Sequence, residues 1–236
     1  MANMADPFGN SFDLITFAPG GYENIAPLGS QEGQRLSGRN PRLVRGLPKR
    51  SVGMQHIPLH TGALVRLATA ADNAPIAAIW NYEVQWSNAT FDTQLRTLEQ
   101  QEEWLAAHSD AYPVLVMVAE REVCAYGALS PYRDKPAYSQ TVEDAVYVKV
   151  GHRGKGLGHV LVSALLDLAR ERAYHTVMAR ITGGNVASLR LHARHGFHLV
   201  GVEREVGFKF ERWQDVVLMQ CMLHTAAPPP SNARQP

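Results

Sequence analysis

Residues 146–158, VYVKVGHRGKGLG, run from an alternating apolar stretch into a basic, glycine-rich turn. Val146, Val148 and Val150 alternate with Tyr147 and Lys149 at the two-residue period of a strand. Beyond the turn, Leu157, Val160, Leu161, Ala164, Leu165 and Leu168 form one apolar stripe at helical spacing. Strand, turn and helix therefore follow without a break. Gly154, Gly156 and Gly158 strip side chains from the turn, so N–H groups of the loop and first helical turn have room to face an anion. Added to the helix dipole, such a nest binds phosphate; a plain strand-to-helix turn would carry the same glycines. Two common phosphate loops are excluded by spacing. Gly154-Lys155 is followed by Gly156 where a P-loop needs Ser or Thr, and a dinucleotide fingerprint needs G-x-G-x-x-G with an acid about 20 residues on. What remains is R-x-x-G-x-G, from Arg153 to Gly158.

At 236 residues the expectation is one domain with appendages, and an apolar share of 45% can fill its core. A net charge of +1 provides no overall field for nucleic acid or an anionic membrane, which points to a small-molecule partner. Cys124 and Cys221 lie far apart in apolar runs, which suits reduced buried thiols in a cytoplasmic protein better than a disulfide framework or a metal site. No apolar run reaches the roughly 18 residues of a membrane span, and the early acids Asp6 and Asp13 do not suit a secretory leader.

Residues 1–61 are rich in Gly, Pro and Ser and hold no sustained period, so they read as a disordered extension. The cluster Arg39, Arg42, Arg45, Lys49 and Arg50 within it reads as a solvated charge patch. The folded part, 62–224, opens with a strand at 63–68. A helix follows with Asp72 as its cap and Pro75 in its first turn, and a second helix covers 93–108. VLVMVAE and VCAYGALS make a hairpin about Arg121 and Glu122; a strand at 141–150 leads into the glycine loop and its helix. A strand at 175–181, a helix at 186–194 stopped by His195-Gly196, and strands at 197–206 and 213–223 complete a mixed α/β layer fold. The proline-bearing tail 225–236 cannot extend a sheet.

The loop resembles the acyl-CoA pyrophosphate loop of the GNAT superfamily of N-acetyltransferases, whose α/β fold has this order of elements. The blocks SNATF, PYRDKPAY, TVEDAVYV, RGKGLG, NVASLRLHARHGF and VGFKFERWQDVVLMQ narrow the resemblance to its phosphinothricin and methionine sulfoximine or sulfone acetyltransferases. The likeness covers about 63–223. It implies acetyl-CoA as co-substrate, a small amino acid as acceptor, no metal, and a homodimer, since family members place C-terminal strands near their subunit contacts.

Acetyl transfer to an amine needs the thioester held, the ammonium deprotonated and the leaving thiolate stabilised. For holding, the resemblance implies the main chain around Val148 and Val150, the loop Arg153, Gly154, Lys155, Gly156, Leu157 and Gly158, and Asn185 with Ser188, which read by themselves as a helix N-cap. For deprotonation, Glu143 lies opposite Val142, Val146 and Val148 on its strand; TVE-x-x-V-Y-V aligns it with the family's proposed general base. His192 stands on the helix where many relatives carry a Tyr acid, and a His there is suited to acid or base work. Arg133, Lys135 and Tyr138, with Tyr147 and the wall residue Phe91, resemble the acceptor site. Arg133 and Lys135 exchange places with the family's usual Lys and Arg, which bears on acceptor preference because Arg is a planar fork and Lys a point charge. Acetylation of another small amine or of a protein N-terminus, and acyl-CoA binding without turnover, stand as the alternatives.

Overall fold

The computed structural model describes residues 63–108 and 110–223; the expectations for residues 1–61 and 225–236 lie outside them. Seven strands and four helices follow in the order β1 (Leu64–Leu67), α1 (Asn73–Trp86), α2 (Leu98–Ala107), β2 (Val114–Ala119), β3 (Glu122–Pro131), β4 (Thr141–Val148), α3 (Leu157–Glu171), β5 (Thr176–Thr182), α4 (Val186–Arg194), β6 (His198–Lys209) and β7 (Arg212–Met222). They form one mixed sheet in the order β1-β2-β3-β4-β5-β7-β6. Every neighbouring pair is antiparallel except β4 and β5, which are parallel with α3 as the crossover between them.

Strand alternation divides the apolar residues between two cores. On one face Val142, Val177 and Val217 pack with Leu161 and Leu165 of α3 and Leu189 of α4. On the other, Val116 and Tyr126 pack with Ile76 and Ile79 of α1. Leu161 is wholly buried and Leu165 is 1% exposed, so each contributes about 1.5–3 kcal/mol by burial.

Local chemistry moves several boundaries. Helix α2 starts at Leu98 because Thr97 and Gln100 form a capping box: Thr97 Oγ1 accepts the Gln100 N–H at 3.1 Å, and the Thr97 N–H donates to Gln100 Oε1 at 2.9 Å. Asp72 stands at the N-cap position of α1, but its side chain makes no cap hydrogen bond to that helix. Its carboxylate accepts Arg66 at 2.6 and 2.8 Å and the Thr69 N–H at 2.8 Å, and together these hold the Asp72 carboxyl below its ordinary range, the Arg66 hydrogen bonds most strongly. The β2–β3 turn is Glu120-Arg121, both left-handed (φ 51° and 67°), so β3 starts at Glu122. Strand β6 runs on to Lys209 because the corresponding turn is Phe210-Glu211 (φ 52° and 58°).

Candidate active site

The parallel pair is short. β4 and β5 pair from Thr141↔Thr176 to Asp144↔Ala179; β4 then continues to Val148 against β3 alone, and β5 to Thr182 against β7 alone. The strands diverge beyond Asp144, so residues 145–148 present a main-chain edge inside the sheet, where an extended ligand can pair as a strand does. Val148 lies at the mouth of this wedge and Val150 in the turn beyond it; Glu143 and Asp144 are at its apex.

The glycine loop closes the wide end. Gly154 and Gly156 have φ of 74° and 81°, Gly156 is the N-cap of α3, and no side chain caps the helix. The first N–H groups of α3, starting at Leu157 and Gly158, have no partner within the helix, so the turn is suited to an anion. A Cβ at Gly158 would come within 3.1 Å of Leu191 Cδ2, so this glycine seats α3 against α4. Lys155 is exposed and Leu157 buried. Arg153, expected among the cofactor contacts, sends its side chain elsewhere: its guanidinium pairs with Glu83 of α1, and its Nε–H donates to the Val148 carbonyl at 3.0 Å.

Glu143 and Tyr147 share the β4 face toward α1 and α2. Burial pushes the Glu143 carboxyl up to about 7; Asp144 and Glu203 add to the rise, while Arg180 and Arg133 oppose it. A carboxylate near the operating pH matches a general base. Arg180 is fixed by two hydrogen bonds to Glu203, at 2.7 and 3.4 Å. Tyr147 stacks on Tyr126 at 5.2 Å and meets the edge of Trp80 at 5.2 Å; burial raises its phenol, so it is a neutral wall. Arg133 is exposed and lies over the rings of Tyr132 and Tyr138, at 5.0 and 6.0 Å. Lys135, also exposed, precedes the helical turn Pro136–Tyr138. Phe91 packs against Gly207, where any Cβ would overlap its ring.

His192 is on the other side of β4. It is 5% exposed, its Nδ1–H donates to the Ser188 carbonyl at 2.8 Å, and its Nε2–H pairs with Asp144 Oδ2 at 3.1 Å. Burial alone would lower its pKa, but the Asp144 hydrogen bond and charge, with Ser188, outweigh it and the net shift is upward. Both ring nitrogens are engaged, and Glu143 and His192 are not brought together. Asp144 Oδ1 is buried without a protein partner. Asn185 Oδ1 accepts the Ser188 N–H at 3.1 Å, the N-cap arrangement, and Ser188 Oγ lies 3.3 Å from His192 Nδ1.

Sequence reasoning missed Glu83, Asp144, Arg180 and Lys209. Arg180 in TVMARIT and Lys209 in VGFKF are single charges in otherwise apolar runs, and such a residue needs a partner when the run is buried; Glu83 and Asp144 lie among other polar residues and carry no such signal. Among the described residues no group of three or more His, Cys, Asp or Glu side chains is placed to hold a metal ion, and no helix is long and apolar enough to cross a membrane.

The chain has counterparts among known proteins. Phosphinothricin N-acetyltransferase of Streptomyces coelicolor is 41% identical over 156 residues, 64% of this chain and 91% of that protein. A methionine sulfoximine and methionine sulfone acetyltransferase of Salmonella typhimurium is 38% identical over 171 residues, 70% of this chain and 97% of the other. The crystal structure of a phosphinothricin acetyltransferase from Sinorhizobium meliloti in complex with acetyl-CoA superposes with a TM-score of 0.69 at 32% identity, covering 72% of this chain and 94% of that one. Residues 77–197, from the first half of α1 up to the start of β6, match the acetyltransferase (GNAT) family, and with these relatives they show that the chain belongs to it.

Proposed function

We propose that the protein transfers the acetyl group of acetyl-CoA to the amino group of a small anionic amino acid of the phosphinothricin or methionine sulfoximine or sulfone type, with Glu143 as general base. The observation that carries this reading is a half-buried carboxyl, raised to about 7, at the apex of the β4–β5 wedge on the face that also holds Arg180, Arg133, Tyr147 and Phe91. Acetyl-CoA supplies an activated acyl carbon. Main-chain N–H groups of Gly154, Gly156 and Gly158 with Lys155 hold its pyrophosphate, the edge at 145–148 receives the pantetheine arm, and Asn185 and Ser188 border it. Glu143 takes a proton from the acceptor ammonium, the nitrogen bonds to the acyl carbon, and the carbon–sulfur bond breaks to release the thiolate of CoA, which is then protonated. Arg133 and Arg180 attract the acceptor's anionic groups, Lys135 and Tyr138 border them, and Phe91 and Tyr147 wall the side chain. His192 holds Asp144 beneath the wedge; the buried ion pair favours this over service as a free acid.

The activity fits detoxification of an amino-acid antimetabolite or herbicide in the cytoplasm, in keeping with the buried free thiols of Cys124 and Cys221. Strand β6 is a sheet edge exposing Val206 and Phe208, with Trp213 beside it on β7, and this apolar surface supports a homodimer. Release of free thiol from acetyl-CoA, measured over phosphinothricin, methionine sulfone, proteinogenic amino acids and an alanine-initiated peptide, tests the function. Saturable turnover with the first two is expected. Binding of acetyl-CoA with no turnover on any amino acid would overturn it. Sedimentation at twice the 26.0 kDa chain mass, reduced to one by Trp213→Asp, is expected for the dimer.

A further inference from the structure

Glu83 is 3% exposed near the C-terminal end of α1, and its polar atoms serve two different parts of the site. Its Oε1 pairs with Arg153 of the glycine loop, which also holds the Val148 carbonyl at 3.0 Å; its Oε2 accepts Ser87 Oγ–H at 2.6 Å. Its main-chain carbonyl accepts the Ser87 N–H at 3.1 Å and Lys209 Nζ at 3.3 Å. Lys209 is 5% exposed and donates as well to the carbonyls of Ser87 and Thr90, each at 2.8 Å. There a cation satisfies carbonyls left over at a helix C-terminus and complements the negative end of its dipole. Thr90 precedes Phe91, whose ring rests on Gly207. One residue thus receives the acyl-CoA loop on its carboxylate and the anchor of the acceptor wall on its carbonyl.

Building on the acetyltransferase reading, we propose that Glu83 is a positioning residue that couples the two substrate sites: ordering the glycine loop around a pyrophosphate orders residues 87–91, so that each ligand binds more tightly when the other is present. Glu83 is buried and Arg153 half-exposed, so a shift of the loop that breaks their pair leaves a buried carboxylate without its cation unless α1's end moves with it. Arg153 acts here as a strut within the protein, and the pyrophosphate is left to main-chain N–H groups and Lys155. By linkage the coupling is the same in both directions.

The test uses the full chain with CoA, which carries the pyrophosphate without allowing turnover, and methionine sulfone. Calorimetric titration of each ligand with and without the other is expected to give a coupling factor of about fivefold or more in the wild type, equal in both directions. Glu83→Gln and Arg153→Gln should each bring it below about twofold, and Arg153→Lys should restore part of it. A general loss of stability would weaken both affinities without removing their mutual dependence. In the wild type alone, CoA should slow amide exchange at residues 83–91, a readout independent of whether either variant folds. Coupling that persists in both Gln variants, a wild-type factor near one, or exchange at 83–91 unmoved by CoA overturns the inference while CoA binding leaves the acetyltransferase reading standing. A wild type that binds no CoA overturns both.

Discussion

Glu143 and Asp144 are adjacent in sequence and serve opposite faces of one strand at the point where the sheet opens. Asp144 is tied to His192 at 3.1 Å on the face of α3 and α4, while Glu143 faces the side that holds Tyr147. Two carboxyls one residue apart thereby acquire different chemistry: an ion-paired Asp144 buried beneath the wedge, and a Glu143 pushed up to about 7 by burial. The raised Glu143 carboxyl on the open face fits the base role proposed for it, while Asp144 is held in its pair with His192.

Glu143→Gln keeps the shape and removes the base. We expect kcat to fall by about two to four orders of magnitude with acetyl-CoA affinity unchanged. Wild-type kcat/KM should rise as pH passes through about 7, where Glu143 deprotonates, and the variant should recover rate at high pH as the free amine forms unaided. Stability moves with the opposite sign. The folded value lies above the ordinary 4.5, so the favourable contribution is full below 4.5 and is lost as pH rises to about 7. Above that range Glu143→Gln should melt higher than wild type. Wild-type turnover at neutral pH in the variant would refute the role.

His192→Gln leaves Asp144 without its cation in a buried site, a loss of about 3–5 kcal/mol where a buried pair is broken. Because the folded pKa of His192 is raised above 6.5, the pair's contribution is complete below 6.5 and disappears as pH climbs through the folded value. Urea unfolding should show the gap between wild type and variant narrowing from about pH 6.5 upward. Glu143 is common to both proteins, so its titration cancels from the gap and what changes with pH is the His192 pair. A gap constant with pH would mean that the imidazole is neutral in the folded protein.

Much of this arrangement is legible in the sequence, and the remainder fails for identifiable reasons. The period-two run at 146–150, the glycines after it and the helical stripe from Leu157 are local signals, and the structure has β4, the loop and α3 in that order. Glu143 is placed on the correct face by parity alone. The pairing of Arg153 with Glu83 is not legible because the two are 70 residues apart, and nothing local distinguishes an Arg facing an anion from one facing a buried carboxylate. His192 reads as a free acid or base for the same reason, its partner Asp144 being 48 residues distant. Helix boundaries moved at 93–97, where the capping box at Thr97 and Gln100 overrides apolar spacing.

Gly207→Ala places a methyl group where the Phe91 ring lies. Phe91 must swing away, opening the acceptor wall while leaving the glycine loop in place. KM for the acceptor is expected to rise about tenfold or more with the acetyl-CoA dissociation constant within twofold of wild type, the pattern of lost substrate positioning. Steady-state kinetics and acetyl-CoA titration read it directly. Equal changes in both constants would mean that residues 87–91 do not line the acceptor site.

The anion site on the glycine loop can be separated from the backbone geometry that creates it. Gly156 has φ of 81°, so any side chain there costs about 1–2 kcal/mol in backbone strain, yet a Cβ would meet nothing within 4 Å and is not otherwise in the way. Asn and Asp tolerate this conformation better than other residues and are nearly isosteric. Gly156→Asn therefore measures strain and bulk, and Gly156→Asp adds one negative charge at the same place. If the first turn of α3 holds a pyrophosphate, Asn should weaken acetyl-CoA binding by a few-fold and Asp by about tenfold more, since a like charge within about 5–6 Å costs 1 kcal/mol or more near a protein surface. The excess should shrink as salt is raised, because exposed charges are screened over about 10 Å at 0.1 M ionic strength. Equal affinities for the two variants at low salt would show that no phosphate lies near Gly156, and the α3 N-terminus would then be a plain turn.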